Sequence, residues 1–175
     1  DLSYVLFTKR YHHPPVNDEE RSEQLAYLSG GSVLNWVSWQ GASLLGIALA
    51  NVARFEEATD NYRKAIALNP NFFEAYGNLG TVLQKQGLLE DAIKNYRTAL
   101  SIHDDPRGHF NLGTALRDEG KLDDAISHFK KAIAMFPNYA DAHNYLGECL
   151  RDQGNMEDAI KSYQDTLALN PNHAG

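Results

Sequence analysis

The 175-residue sequence holds a single cysteine, Cys149. One thiol excludes an intrachain disulfide framework and any zinc site built on cysteine ligands. It fits the cytoplasm or another reducing compartment, with an organellar or membrane-associated location left open. Positive charge is also sparse: 16 Lys and Arg against 23 Asp and Glu give a formal charge of −7. No long basic run occurs, which argues against a nucleic-acid partner, since phosphate-rich surfaces repel such a chain. A nucleophile motif, a phosphate-cradling glycine loop and a nucleotide fingerprint are all missing. We therefore expect no enzymatic activity, no catalytic residue and no cofactor. No signal peptide is visible, and the chain opens without an initiator Met, as a processed or partly represented protein does.

What the sequence does have is a period. Leu-Gly recurs at Leu45-Gly46, Leu79-Gly80, Leu112-Gly113 and Leu146-Gly147, with successive glycines 34, 33 and 34 residues apart. Three residues after each glycine stands Leu49, Leu83, Leu116 or Leu150, and twelve after it Ala58, Ala92, Ala125 or Ala159. Four residues further on comes an aromatic: Tyr62, Tyr96, Phe129 or Tyr163. Pro70, Pro137 and Pro171 close three copies, and Asp104 takes that place in the second.

Each copy reads as two amphipathic helices, A and B. Leu112, Ala115 and Leu116 lie at i, i+3, i+4, one apolar stripe on a helix A. Gly113 and its equivalents allow a neighbouring element to approach closely. Gly87, Gly120 and Gly154 fall where the chain turns from A to B, a place suited to left-handed backbone. Ala53 holds that position in the first copy, so a strained or differently shaped turn is expected there. Small Ala125 and Ala132 let B nest on A, beside Phe129, and Pro137 ends helix B. Acidic pairs such as Glu90-Asp91, Asp123-Asp124 and Glu157-Asp158 open each helix B, where they complement the positive helix end. No such pair can cover its own apolar face, so neighbours must stack.

These residues resemble the tetratricopeptide repeat, with copies at residues 39–72, 73–105, 106–139 and 140–173. The resemblance implies an all-α fold, a right-handed α-solenoid of antiparallel helix pairs whose helix A faces line a concave groove. Carried over by position, the groove includes Ser43 and Ile47 of the first copy. A partner-binding set drawn from the other three comprises Asn78, Thr81, Lys85, Arg107, Phe110, Asn111, Arg117, Asn144, Glu148 and Arg151. Members of the family that clamp a chaperone's C-terminal carboxylates use a lysine and asparagines at fixed places. Ser43 and Ile47, or Gly77 and Thr81, stand there instead, which argues against that clamp. Asn78 and Asn111 fall where the repeats of O-linked GlcNAc transferases form an asparagine ladder; Leu44 and Tyr145 interrupt it in the first and fourth copies. Mixed charge along the groove suits orientation of an extended polar segment, and Phe110 offers an apolar foothold. Pairing among these charges within the wall is the competing reading.

Residues 1–38 do not follow the period and are expected to form an irregular arm. Asn17 and Glu20 read as a capping box for a short helix over residues 17 to about 28, followed by a hinge, Ser-Gly-Gly-Ser, at 29–32. Residues 32–53 contain no charge, and their length suffices for a membrane-crossing helix. Asn35, Ser38, Gln40, Ser43 and Asn51 interrupt the run, and no basic cluster flanks it. We take it as helix A of the first copy with an apolar extension covered by the arm; membrane contact is the second reading. The seven histidines contain no His-x3-His pair, so no metal site is expected. Cys149 reads as a small buried hydrophobe. On the last helix B, Ile160, Tyr163 and Leu167 should be partly uncovered.

Three functions remain. The favoured one is a non-catalytic scaffold or adaptor in a multiprotein complex, holding an extended polar segment in its groove or a neighbouring subunit on its outer wall. The second is a substrate-selecting array of a larger enzyme such as an O-linked glycosyltransferase. The third is a membrane-associated assembly factor held through residues 32–53.

Overall fold

Residues 32–170 are described by the computed structural model, with side chains from Ser38 onward. The expected helix over residues 17–28, residues 29–31 of the hinge, His12, His13 and His173 lie outside them. The described residues form eight α-helices and no strand. They are α1 (Ser32–Asn51), α2 (Phe55–Leu68), α3 (Phe73–Lys85), α4 (Leu89–Ile102), α5 (Pro106–Asp118), α6 (Leu122–Met135), α7 (Ala140–Asp152) and α8 (Met156–Leu169). Odd-numbered helices are the A helices and even-numbered ones the B helices. α1 begins at Ser32, ahead of the first copy, as a helix A with an apolar extension does; no glycine or proline interrupts the chain from Ser32 to Gln40. No described helix is long and apolar enough to cross a membrane.

The chain divides into two compact units, Asp1–Pro70 and Asn71–Gly175. In the first, α1 packs on α2. In the second, α3 packs on α4, α5 on α6 and α7 on α8, and each B helix also packs on the next A helix, α4 on α5 and α6 on α7.

One turn geometry serves all four hairpins. In the second hairpin the Leu88 N–H donates to the Leu83 carbonyl and the Gly87 N–H to the Gln84 carbonyl, both at 2.9 Å. This is the Schellman closure, and it needs a left-handed residue, which Gly87 supplies at φ 78°. Lys121 and Gly120 repeat the pattern onto Leu116 and Arg117, as do Asn155 and Gly154 onto Leu150 and Arg151. The periodic leucine therefore does two jobs: its side chain is buried, and its carbonyl receives the closing N–H. In the first hairpin Arg54 closes onto Leu49, and Ala53 is forced to φ 58°. This is the expected strain, since a Cβ disfavours left-handed backbone.

The Leu-Gly glycine has a specific neighbour. A Cβ on Gly80, Gly113 or Gly147 would lie 2.7 Å from Cε1 of the aromatic sixteen residues on, Tyr96, Phe129 or Tyr163. The bare helix A backbone is the seat for the helix B ring. Around that seat Ala92, Ala125 and Ala159 are fully buried, as are Ala75, Ala115 and Ala142, so the helices meet through small side chains. Acidic residues occupy the first turn of α2, α4, α6 and α8, each contributing about 0.3–1 kcal/mol with the helix dipole. At the shortened second repeat, Asp105 caps α5 by accepting the Gly108 N–H at 2.9 Å, with Pro106 at the first helical position.

On the last B helix Ile160 is 52% exposed, whereas its equivalents Ile93 and Ile126 are 5% and 8% exposed. Leu167 is exposed and Tyr163 half-buried. This matches the expectation for a B helix with no further described A helix against it. Cys149 is fully buried, and burial pushes its thiol up to about 11. It packs as a small hydrophobe.

Candidate protein-binding surface

Helices α3, α5 and α7 touch their A-helix neighbours directly, α3 on α5 and α5 on α7. Side chains one repeat apart thus come within reach of each other across the wall. Gln84 Nε2 donates to Asp118 Oδ2 at 2.7 Å, 34 residues on. Arg117 Nη1 donates to Glu148 Oε2 at 2.5 Å. Glu148 also accepts from Asn144 Nδ2 at 3.2 Å, and Arg117 reaches Asp118 at 3.5 Å. Behind Gln84, the Tyr96 hydroxyl lies 3.1 Å from both Thr81 Oγ1 and Gln84 Oε1. Burial pushes Tyr96 up to about 12, opposed by its bond to Thr81, so it is a neutral hydroxyl.

Of the ten expected residues, the structure brings Arg117, Asn144 and Glu148 into one hydrogen-bonded group. Phe110 joins them through Tyr145: its ring meets Tyr145 edge-on at 5.3 Å, and Arg117 sits 4.4 Å from the Tyr145 centroid. Such a cation–π contact contributes about 0.5–1 kcal/mol. Phe110 also touches Tyr139 at 5.0 Å and Phe129 at 5.9 Å. Phe110, expected as an apolar foothold for a partner, is half-buried at the centre of an aromatic cluster joining repeats three and four, so truncating it would also loosen the array.

Thr81 is half-buried and donates to the Gly77 carbonyl at 3.1 Å. Arg151 is exposed and holds the Asp152 carboxylate at 2.8 and 3.1 Å, a bond that raises its pKa. Lys85 and Arg107 are exposed, and neither has a hydrogen bond or ion pair among the described residues. Asn78 and Asn111 are half-buried with no side-chain hydrogen bond there; only the Asn111 carbonyl is used, by Thr114 at 2.8 Å. Ser43, placed on the groove by position, is instead 4% exposed.

Sequence reasoning missed Tyr139 and Tyr145 as the neighbours of Phe110. The break in the asparagine ladder at Tyr145 was the available signal. It also missed a cluster between helices: His109 Nδ1 lies 2.8 Å from His128 Nδ1, and His109 Nε2 lies 2.8 Å from Asp104 Oδ1. Among the described residues no group of three or more His, Cys, Asp or Glu side chains is placed to hold a metal ion.

Three family models match the chain: one described as tetratricopeptide repeat over residues 110–174, another so described over 71–138, and one described as TPR repeat over 54–87. The chain belongs to the tetratricopeptide repeat family. Its fold, an all-α TPR solenoid, is shared with solved structures. A crystal structure of MamA protein is 26% identical, with a TM-score of 0.72, covering 77% of this chain and 74% of that one. MamA 41-end from Desulfovibrio magneticus RS-1 is 22% identical with a TM-score of 0.73, covering 99% and 96%. YrrB, described as a TPR protein with an unusual peptide-binding site, is 25% identical with a TM-score of 0.70, covering 89% and 80%. Among curated proteins, none matches the sequence.

Proposed function

We propose that the chain is a non-catalytic scaffold or adaptor that holds an extended polar segment of a partner protein along the A-helix faces of its second unit. The observation carrying this reading is a division of labour on that wall. Arg117, Glu148, Gln84 and Asp118 are satisfied by one another, whereas Lys85, Arg107, Asn78 and Asn111 keep free donors. An asparagine amide both donates and accepts, so it matches a peptide bond whatever the side chain. Lys85 and Arg107 add attraction for carboxylates at the edges, which favours orientation and on-rate more than raw affinity. The peptide-binding site of YrrB supports the same kind of use.

Crosslinking with mass spectrometry in native extract tests the proposal, comparing the unaltered chain with a variant carrying Asn78→Ala, Asn111→Ala, Lys85→Glu and Arg107→Glu. All four side chains are at least partly exposed, so the helical circular dichroism should persist while crosslinks to the bound partner disappear. An unchanged partner set from a folded variant refutes the assignment.

A further inference from the structure

Between the B helices lies a second surface. A cleft of about 550 Å³ opens between α4 and α6, with α5 as its floor. Leu100, Leu112 and Met135 form its apolar part, Arg97 and Lys131 stand on its walls, and His109 and His128 face each other within it. The next repeat carries the equivalent cleft, smaller at about 270 Å³, between α6 and α8. There Asp165 replaces Lys131, Ser162 replaces His128, and Asp165 is engaged by His143 at 3.7 Å. The first cleft is therefore distinct in charge as well as size.

Arg97 and Lys131 are exposed and have no ion-pair partner among the described residues. The one carboxylate on the cleft wall, Asp104, is taken up by His109 at 2.8 Å. The short Nδ1–Nδ1 contact holds one proton. A His109 ring that donates through Nε2 to Asp104 accepts at Nδ1, so the proton between the two rings then belongs to His128. Burial, helped by the charges of His109, Lys131 and Arg97 and opposed by Asp124 one turn earlier on α6, holds His128 down to about 4. It is an open cleft with an apolar floor and two cations on its walls, a form that suits a docked segment and not an enclosed small molecule.

We propose that this cleft is a docking site for an acidic, leucine-bearing segment of a partner protein, its Glu or Asp carboxylate seated between Arg97 and Lys131 and its apolar side chain on Leu100 and Met135. The site is separate from the A-helix groove and stands or falls independently of it.

Fluorescence anisotropy with the labelled peptide acetyl-Leu-Glu-Leu-Glu-Glu-Leu-amide, added to the full chain at low salt, tests this. Arg97→Glu combined with Lys131→Glu should weaken binding at least tenfold, and a probe with Lys in place of Glu should not bind. Both substitutions are at exposed positions, and an unchanged thermal melt checks that the fold survives. Lys130→Glu with Lys161→Glu, on the smaller cleft, and Arg63→Glu with Lys64→Glu, at exposed positions of α2, should each leave affinity within twofold. No binding at millimolar probe overturns the proposal, as does equal affinity after the Arg97 and Lys131 reversals. An equal loss from either control pair, which marks generic charge attraction, overturns it too.

Discussion

Gly77 and Gly80 sit one turn apart in α3, and alanine at each should have opposite consequences. Both changes bring the same gain in helix propensity, about 1 kcal/mol. A Cβ at Gly77 meets nothing within 4 Å, so Gly77→Ala should stabilise by about that amount. A Cβ at Gly80 lands 2.7 Å from Cε1 of Tyr96 and 2.9 Å from Cδ1. Neither atom is the free end of a flexible chain. The ring is 1% exposed, and its hydroxyl is held at 3.1 Å by Thr81 and Gln84. Relief requires α4 to move off α3, and overpacking of this kind costs about 1–3 kcal/mol. Gly80→Ala should therefore range from neutral to destabilised by about 2 kcal/mol, leaving it about 1–3 kcal/mol below Gly77→Ala. Urea unfolding followed by helical circular dichroism measures the gap, with unchanged m-values required for the comparison. In a thermal scan it corresponds to about 2–4 °C per kcal/mol. If Gly80→Ala matches or exceeds Gly77→Ala in stability, the periodic glycine is not a seat for the aromatic ring, and the account of helix pairing given above is wrong.

Ala53→Gly should stabilise the first hairpin by about 1 kcal/mol, since glycine removes the Cβ penalty at φ 58°; a lower unfolding midpoint would show that the turn is not strained. Leu116→Asp should cost about 4 kcal/mol or more by placing an unpaired carboxylate at a fully buried site, read as loss of helical signal at room temperature or a collapsed urea midpoint. For His128 the folded pKa of about 4 lies below the ordinary 6.5, so the unfolded chain binds the extra proton between those values. Its contribution is present in full above pH 6.5 and is lost as pH falls towards 4. His128→Gln should therefore flatten the stability profile over pH 4–6.5, and parallel profiles for the two proteins would contradict the placement of this ring.

The sequence by itself determined the hairpins, their turns and their contacts at short range. A Leu-Gly, an alanine twelve residues on and an aromatic after it recur because each stacking unit has to solve the same packing problem. The left-handed turn was legible even where its glycine is absent, at Ala53, because φ > 0 follows from the closure geometry and not from the residue present. The uncharged run from Ser32 was legible as a helix longer than the repeat requires, because no glycine or proline interrupts it before Gln40.

Only the tertiary structure decided what the surface residues do. Position in the repeat identified Arg117, Glu148 and Phe110 as facing the groove, but not that Arg117 would be claimed by Glu148 or Phe110 by Tyr139 and Tyr145. His109 and His128, nineteen residues apart on different helices, carry no spacing that announces their contact. A period records the interactions every unit must make. Contacts made once, between side chains that differ from copy to copy, depend on how the helices are set side by side, and the free energy of each such pair is fixed by distance and burial that no single strand of text contains.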